Sequence, residues 1–163
     1  MARKNILESS LEAIEEFFET FDIKAFTEYK LVEIIEANRD SWNIPHSRRA
    51  KQIILYLIKK GLLLENILYT HASEGKLVYS WKTNDEFTVI SGIKSNSYFA
   101  HYSALFLHQL TLQIPKTVYL NSEHKSIMST SRERLTQKSI DEIFQGNQRK
   151  SALVYSYSDK KVV

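Results

Sequence analysis

The sequence predicts an α+β protein: an N-terminal winged helix-turn-helix followed by a small mixed α/β module. Three observations predict it. Apolar residues recur at helical spacing through the first sixty positions. Two β-prone runs flank a turn around Gly75. The remaining half mixes short strand and helix patterns, with Pro115 interrupting them. A chain of 163 residues with 43% hydrophobic and 25% charged residues, four glycines and two prolines is globular in composition, long enough for two small units.

Leu7, Leu11, Ile14, Phe18 and Phe21, with glutamates opposite, predict a first helix over 5–20. Thr27 reads as the cap of a second helix. Phe26 and Leu31 stand where a hydrophobic staple would place them, and Leu31, Ile34 and Ile35 form the buried face. Pro45 disfavours helix at Ile44, so a third helix is expected from about Ser47. It buries Ala50, Ile53, Ile54, Leu57 and Ile58 and ends at Gly61. Leu62–His71 and Leu77–Trp81 then form a hairpin, the wing.

The domain boundary is expected in the polar stretch at 83–88, dividing the chain into 1–84, the DNA-binding unit, and 85–163, the α+β module. Within the second unit the patterns predict a strand at Phe87–Ser91 and a helix from Ser97 to about Leu110. A strand at Thr117–Leu120, a helix at Gln137–Phe144 and a strand at Ala152–Tyr155 follow.

Charge is unevenly distributed although the net value is only +3. Positions 8 to 36 carry nine acids against Lys24 and Lys30, whereas 37 to 61 carry Arg39, Arg48, Arg49, Lys51, Lys59 and Lys60 against Asp40 alone. A helix fits the B-DNA major groove, where Arg and Gln bond base edges and Lys binds phosphate. Arg48, Arg49 and Gln52 are therefore candidate base readers. Ser47, Lys51 and Lys59 are candidate flanking contacts, with Lys76 of the wing a candidate for the minor groove or backbone. A basic helix face also serves simply as a solvated surface; the preceding helix and the hairpin favour the DNA reading. Trp42, Tyr69, Tyr79 and Trp81 are expected to pack rather than to stack on bases.

The absence of cysteine excludes disulfides, thiolate zinc sites and a cysteine nucleophile. No phosphate-binding glycine loop, nucleophile elbow or His-Glu-x-x-His pattern occurs. His101 and His108, seven residues apart, would be separated by about 10 Å along a helix, too far to chelate one metal readily. No enzyme activity, metal or cofactor is expected. The start Met1-Ala2-Arg3-Lys4 lacks a secretory pattern, and no apolar run approaches the ~20 residues of a membrane span, so a cytoplasmic location is expected.

The segment Ser97-Tyr98-Phe99-Ala100-His101-Tyr102-Ser103-Ala104-Leu105, His108, Leu110-Thr111 and Ile114-Pro115 resembles the stretch that follows the winged helix in antitoxins of abortive-infection, type IV toxin-antitoxin systems. The later Leu135-Thr136-Gln137, Ile140–Phe144 and Gln148–Ser151 are similar to a subgroup of that family. The resemblance implies a phage-defence role in which the N-terminal domain binds double-stranded operator DNA and represses its own operon. The second module would antagonise a cognate nucleotidyltransferase-like toxin. It also implies a second module longer than the one that stops at Val163. Two other readings stand beside it: a winged-helix protein-interaction module without sequence-specific DNA binding, and an accessory to a nuclease or transferase using the histidines.

Overall fold

The first helix forms in two pieces, α1 (Ile6–Ser9) and α2 (Leu11–Glu19), because the hydroxyls of Ser9 and Ser10 both donate back to the Ile6 carbonyl and bend the chain. In this computed structural model residues 6–70, 75–122, 136–138, 141 and 153–163 are described. A two-residue strand, β1 (Ala25–Phe26), leads into α3 (Glu28–Asn38), where Thr27 accepts from the Lys30 amide as expected of a cap. Phe26 and Leu31 are both buried, as the staple requires.

Residues 39–49 form a turn held from inside. Arg39, only 3% exposed, donates to both carboxylate oxygens of Glu36 and to the Pro45 carbonyl, while Trp42 and Ile44 enter the core. Arg39 is thereby spent on structure, and Glu36, hydrogen-bonded to it, is held below the ordinary carboxylate range. The third helix, α4 (Ala50–Lys59), starts three residues later than its pattern predicts. The Arg48 amide donates to the Pro45 carbonyl in a turn, and Gln52 reaches back to accept from the Arg49 amide at 3.2 Å, which makes Arg49 the cap.

β2 (Leu63–Thr70) and β3 (Lys76–Trp81) form the expected antiparallel hairpin, with β1 paired to the outer side of β3. One face of these strands closes a core of Ile14, Phe18, Leu31, Ile35, Ile53 and Leu57, in which Trp81 stacks on Phe18 with ring centres 4.5 Å apart. Trp42, Tyr79 and Trp81 pack inside as predicted, whereas Tyr69 is exposed.

The second half departs from its patterns twice. Phe87–Ser91 is helical, not a strand: α5 (Glu86–Ser91) is nucleated by Asp85, whose carboxylate accepts from the Thr88 amide and hydroxyl, both at 2.8 Å. Ser97–Leu110 is not one helix either. Ser97–Ala100 is a strand, β4, paired with β5 (Thr117–Ser122), and only His101–Leu107 is helical, as α6. Aromatic Tyr98 and Phe99 suit a strand once a partner is present. The switch falls at His101, which has a φ of 52°. The expected strand ending at Tyr155 forms slightly later as β6 (Tyr155–Tyr157), and β7 (Lys160–Val162), which no pattern announced, pairs with it and in parallel with β5. Of the helix expected over Gln137–Phe144, Gln137, Lys138 and Asp141 are helical; the remainder lies outside the described residues.

Among the described residues six helices accompany a seven-stranded sheet of order β1-β3-β2-β6-β7-β5-β4. The fold is α+β. The sheet crosses residue 84 without interruption, because Tyr69 and Thr70 of β2 pair with Ser156 and Tyr155 of β6. The other face of β1, β2 and β3 contributes Ala25, Leu68 and Val78 to a second core with Val89, Ile90, Val118 and Val162. Gly92 lets α5 sit this close, since a Cβ there would stand 2.7 Å from Val78 and 2.8 Å from Ala25. Between the halves runs a polar chain: Tyr157 donates to Asn66, Asn66 to Ser80, and Ser80 to the Thr83 carbonyl.

Candidate nucleic-acid interface

The α3–α4 unit brings several of the basic candidates to one surface. Lys51, in the first turn of α4, meets Glu28, in the first turn of α3, at 2.8 Å, so the two helix starts lie side by side. The hydrogen bond to Glu28, reinforced by the charge of that carboxylate, raises the Lys51 pKa.

Arg48, half-exposed, and Arg49, exposed, stand at the head of α4 with no acidic partner among the described residues. Ser47 is exposed beside them in the turn, ahead of the helix rather than on it.

Gln52 is exposed one turn further on. Its carboxamide oxygen is engaged by the Arg49 amide, which leaves the two amide hydrogens to face outward as donors. Lys59 is exposed at the far end of α4, about 10 Å along the axis from Gln52. Lys60 lies over the Tyr56 ring, its ammonium 5.6 Å from the centroid. The Tyr56 hydroxyl is buried without a hydrogen-bond partner among the described residues.

Lys76 is set apart from this group. It is the first residue of β3, half-buried, and its ammonium turns inward to donate to the Ile93 carbonyl. Burial lowers its pKa, and the nearby charge of Lys94 lowers it further.

Two exposed side chains beside the basic group escaped the sequence reading: Tyr29, 80% exposed next to Glu28, and Leu55, 64% exposed on α4. Tyr29 carried no signal, because the helical pattern of α3 marks only its buried side. Leu55 lies inside the run Ile53–Ile58, where an outward apolar residue looks the same as an inward one. The Glu28–Lys51 contact joins residues far apart in sequence and had no local signature either.

The acids collect elsewhere. Glu8, Glu12, Glu15, Glu16 and Glu19 line a shallow groove along α1 and α2, where Lys82 meets Glu15 at 2.7 Å and Glu19 at 3.1 Å. The hydrogen bond from the Trp81 indole, followed by that from Lys82, holds Glu19 below the usual carboxylate range. Negative charge is thus gathered on the first helices while Arg48 and Arg49, at the start of α4, stay unmatched among the described residues.

The histidines of α6 do not converge: the His101 ring rests edge-on against Tyr119, 5.1 Å between centres, and His108 is the exposed cap of the helix. Among the described residues no group of three or more His, Cys, Asp or Glu could hold a metal ion. No helix there is long and apolar enough to cross a membrane.

No family model, curated protein or solved structure matches this chain. Its functional reading rests on the geometry above and on the motifs of residues 97–151.

Proposed function

We propose that the chain binds double-stranded operator DNA through a winged helix-turn-helix, with α4 entering the major groove, and that it acts as the autoregulating antitoxin of a type IV toxin-antitoxin system. The succession α2, β1, α3, α4, β2, β3 supplies the three helices and the hairpin that this reading needs. The observation that carries it is the pair Arg48 and Arg49, presented without acidic partners among the described residues at the head of α4, beside the outward amide of Gln52. Residues at the start of a recognition helix are those that reach base edges. Lys59 and Lys60 supply phosphate contacts further along. Antagonism of a nucleotidyltransferase-like toxin comes from the resemblance of residues 97–151 alone.

The experiment is a gel-shift titration on the chain's own upstream DNA against scrambled DNA, with the Arg48→Ala/Arg49→Ala variant alongside. Preferential binding that the variant loses supports the regulator; equal binding of both sequences counts against it. Exposed Tyr29 and Leu55 beside the same cations favour a second reading, a protein-docking face. In that case the double variant leaves DNA retention unchanged.

A further inference from the structure

The side of α4 that turns away from the core carries one apolar residue between two polar ones. At about 100° per residue, Gln52, Leu55 and Lys59 fall within about 60° of one another around the helix. Their mean direction lies about 180° from that of the buried Ala50, Ile53, Ile54 and Leu57. Leu55 stands one turn beyond Gln52 and one turn before Lys59, with 64% of its surface exposed. A single exposed leucine is common on protein surfaces, but this one occupies the middle of the strip that a groove-entering helix lays against the bases.

Gln52 narrows what that strip can read. Its carboxamide oxygen accepts from the Arg49 amide at 3.2 Å, so the nitrogen end, which only donates, is the end presented outward. Adenine is read by a donor and an acceptor together, and cytosine offers a donor of its own. The base edges that suit a donor alone are guanine N7 and O6 and thymine O4. Of these, only thymine sets a methyl group beside its acceptor, and residues three apart on a helix are close neighbours. We infer that Gln52 and Leu55 together select thymine, the Gln52 amide donating to O4 and the Leu55 side chain covering the 5-methyl group. This rests on the proposal that α4 enters the major groove, and adds to it the base that is read there.

The test measures, by fluorescence anisotropy at fixed salt, binding of the whole chain to its upstream duplex and to versions substituted at each thymine in turn. Deoxyuridine removes the methyl group and keeps O4. The 5-methylcytosine base opposite guanine keeps the methyl group and replaces the O4 acceptor with an N4 donor. At the contacted thymine, deoxyuridine should weaken binding about fourfold, as burial of one carbon group implies, and 5-methylcytosine about tenfold or more. Leu55→Ala should abolish the deoxyuridine effect and keep the 5-methylcytosine effect. Gln52→Glu, which retains an oxygen for the Arg49 amide, should do the opposite and turn the preference toward 5-methylcytosine. Both side chains are exposed, so both changes are mild for the fold; Lys59→Ala is the control and should weaken all duplexes alike.

Wild-type binding that is indifferent to deoxyuridine at every position, or a deoxyuridine effect that survives in Leu55→Ala, overturns the inference. If the chain still prefers its upstream duplex over scrambled DNA, the reading of α4 as a groove-entering helix stands without it. No preference for the upstream duplex overturns both.

Discussion

Removing the carboxylate of Glu28 should strengthen DNA binding. In the free protein Glu28 holds the Lys51 ammonium at 2.8 Å, so that cation is partly neutralised before any phosphate arrives. Arg48, Arg49, Lys59 and Lys60 have no such partner among the described residues. If each of these four displaces one counterion at ~0.9 per phosphate, log K falls with log salt at a slope of about −3.6. Raising salt from about 50 to about 200 mM then weakens binding by roughly 150-fold. Arg48→Ala/Arg49→Ala should flatten the slope to about −1.8, a loss of only about 12-fold over the same interval. Glu28→Gln, which frees Lys51, should steepen it to about −4.5. Fluorescence anisotropy on a labelled upstream duplex across a salt series reads all three slopes. Equal slopes in wild type and the double variant would refute the assignment of these arginines, and an unchanged slope in Glu28→Gln would refute the internal neutralisation of Lys51.

Trp81→Ala removes the ring stacked on Phe18 in the first core and should destabilise the fold by about 3–5 kcal/mol in denaturant unfolding; a loss below about 1 kcal/mol would contradict its packing role. Tyr157→Phe leaves the Asn66 carboxamide oxygen unpaired between the two halves and should cost about 1–3 kcal/mol, measured the same way. A fragment of residues 1–84 exposes Ala25, Leu68 and Val78 and should self-associate or bind a hydrophobic dye, while the whole chain unfolds in one transition; two separate transitions would show independent halves. The lowered pKa of Glu36 means that its pair with Arg39 stabilises the fold above the unfolded carboxylate value of 4.5 and is lost as pH falls through the lower folded value. Wild type should therefore lose stability more steeply than Glu36→Gln below about pH 4.5, and parallel acid-unfolding curves would contradict the pair.

The elements legible in the sequence are those whose cause is local. The apolar spacing from Leu7 to Phe21, the Thr27 cap and the break at Pro45 each act within one or two turns of chain, and the structure keeps all three, with the first helix interrupted at Ser10 and the third starting three residues late. The hairpin was legible for the same reason: turn residues and β-prone flanks sit next to each other. The candidate site was only partly legible. Basic residues can be counted in a sequence, but whether each cation is free cannot. Arg39 is buried on Glu36, Lys51 is matched by Glu28, and Lys76 turns in toward Ile93; all three contacts depend on how the chain packs.

By itself the sequence determined the three N-terminal helices, the hairpin and the opposed acidic and basic stretches, because helical periodicity, capping and turn chemistry are short-range effects. Only the tertiary structure decided that Ser97–Ala100 is a strand, that β7 exists, and that one sheet joins the two halves. A strand's backbone groups are satisfied by another strand, and here the partners lie far along the chain, where no local pattern records them.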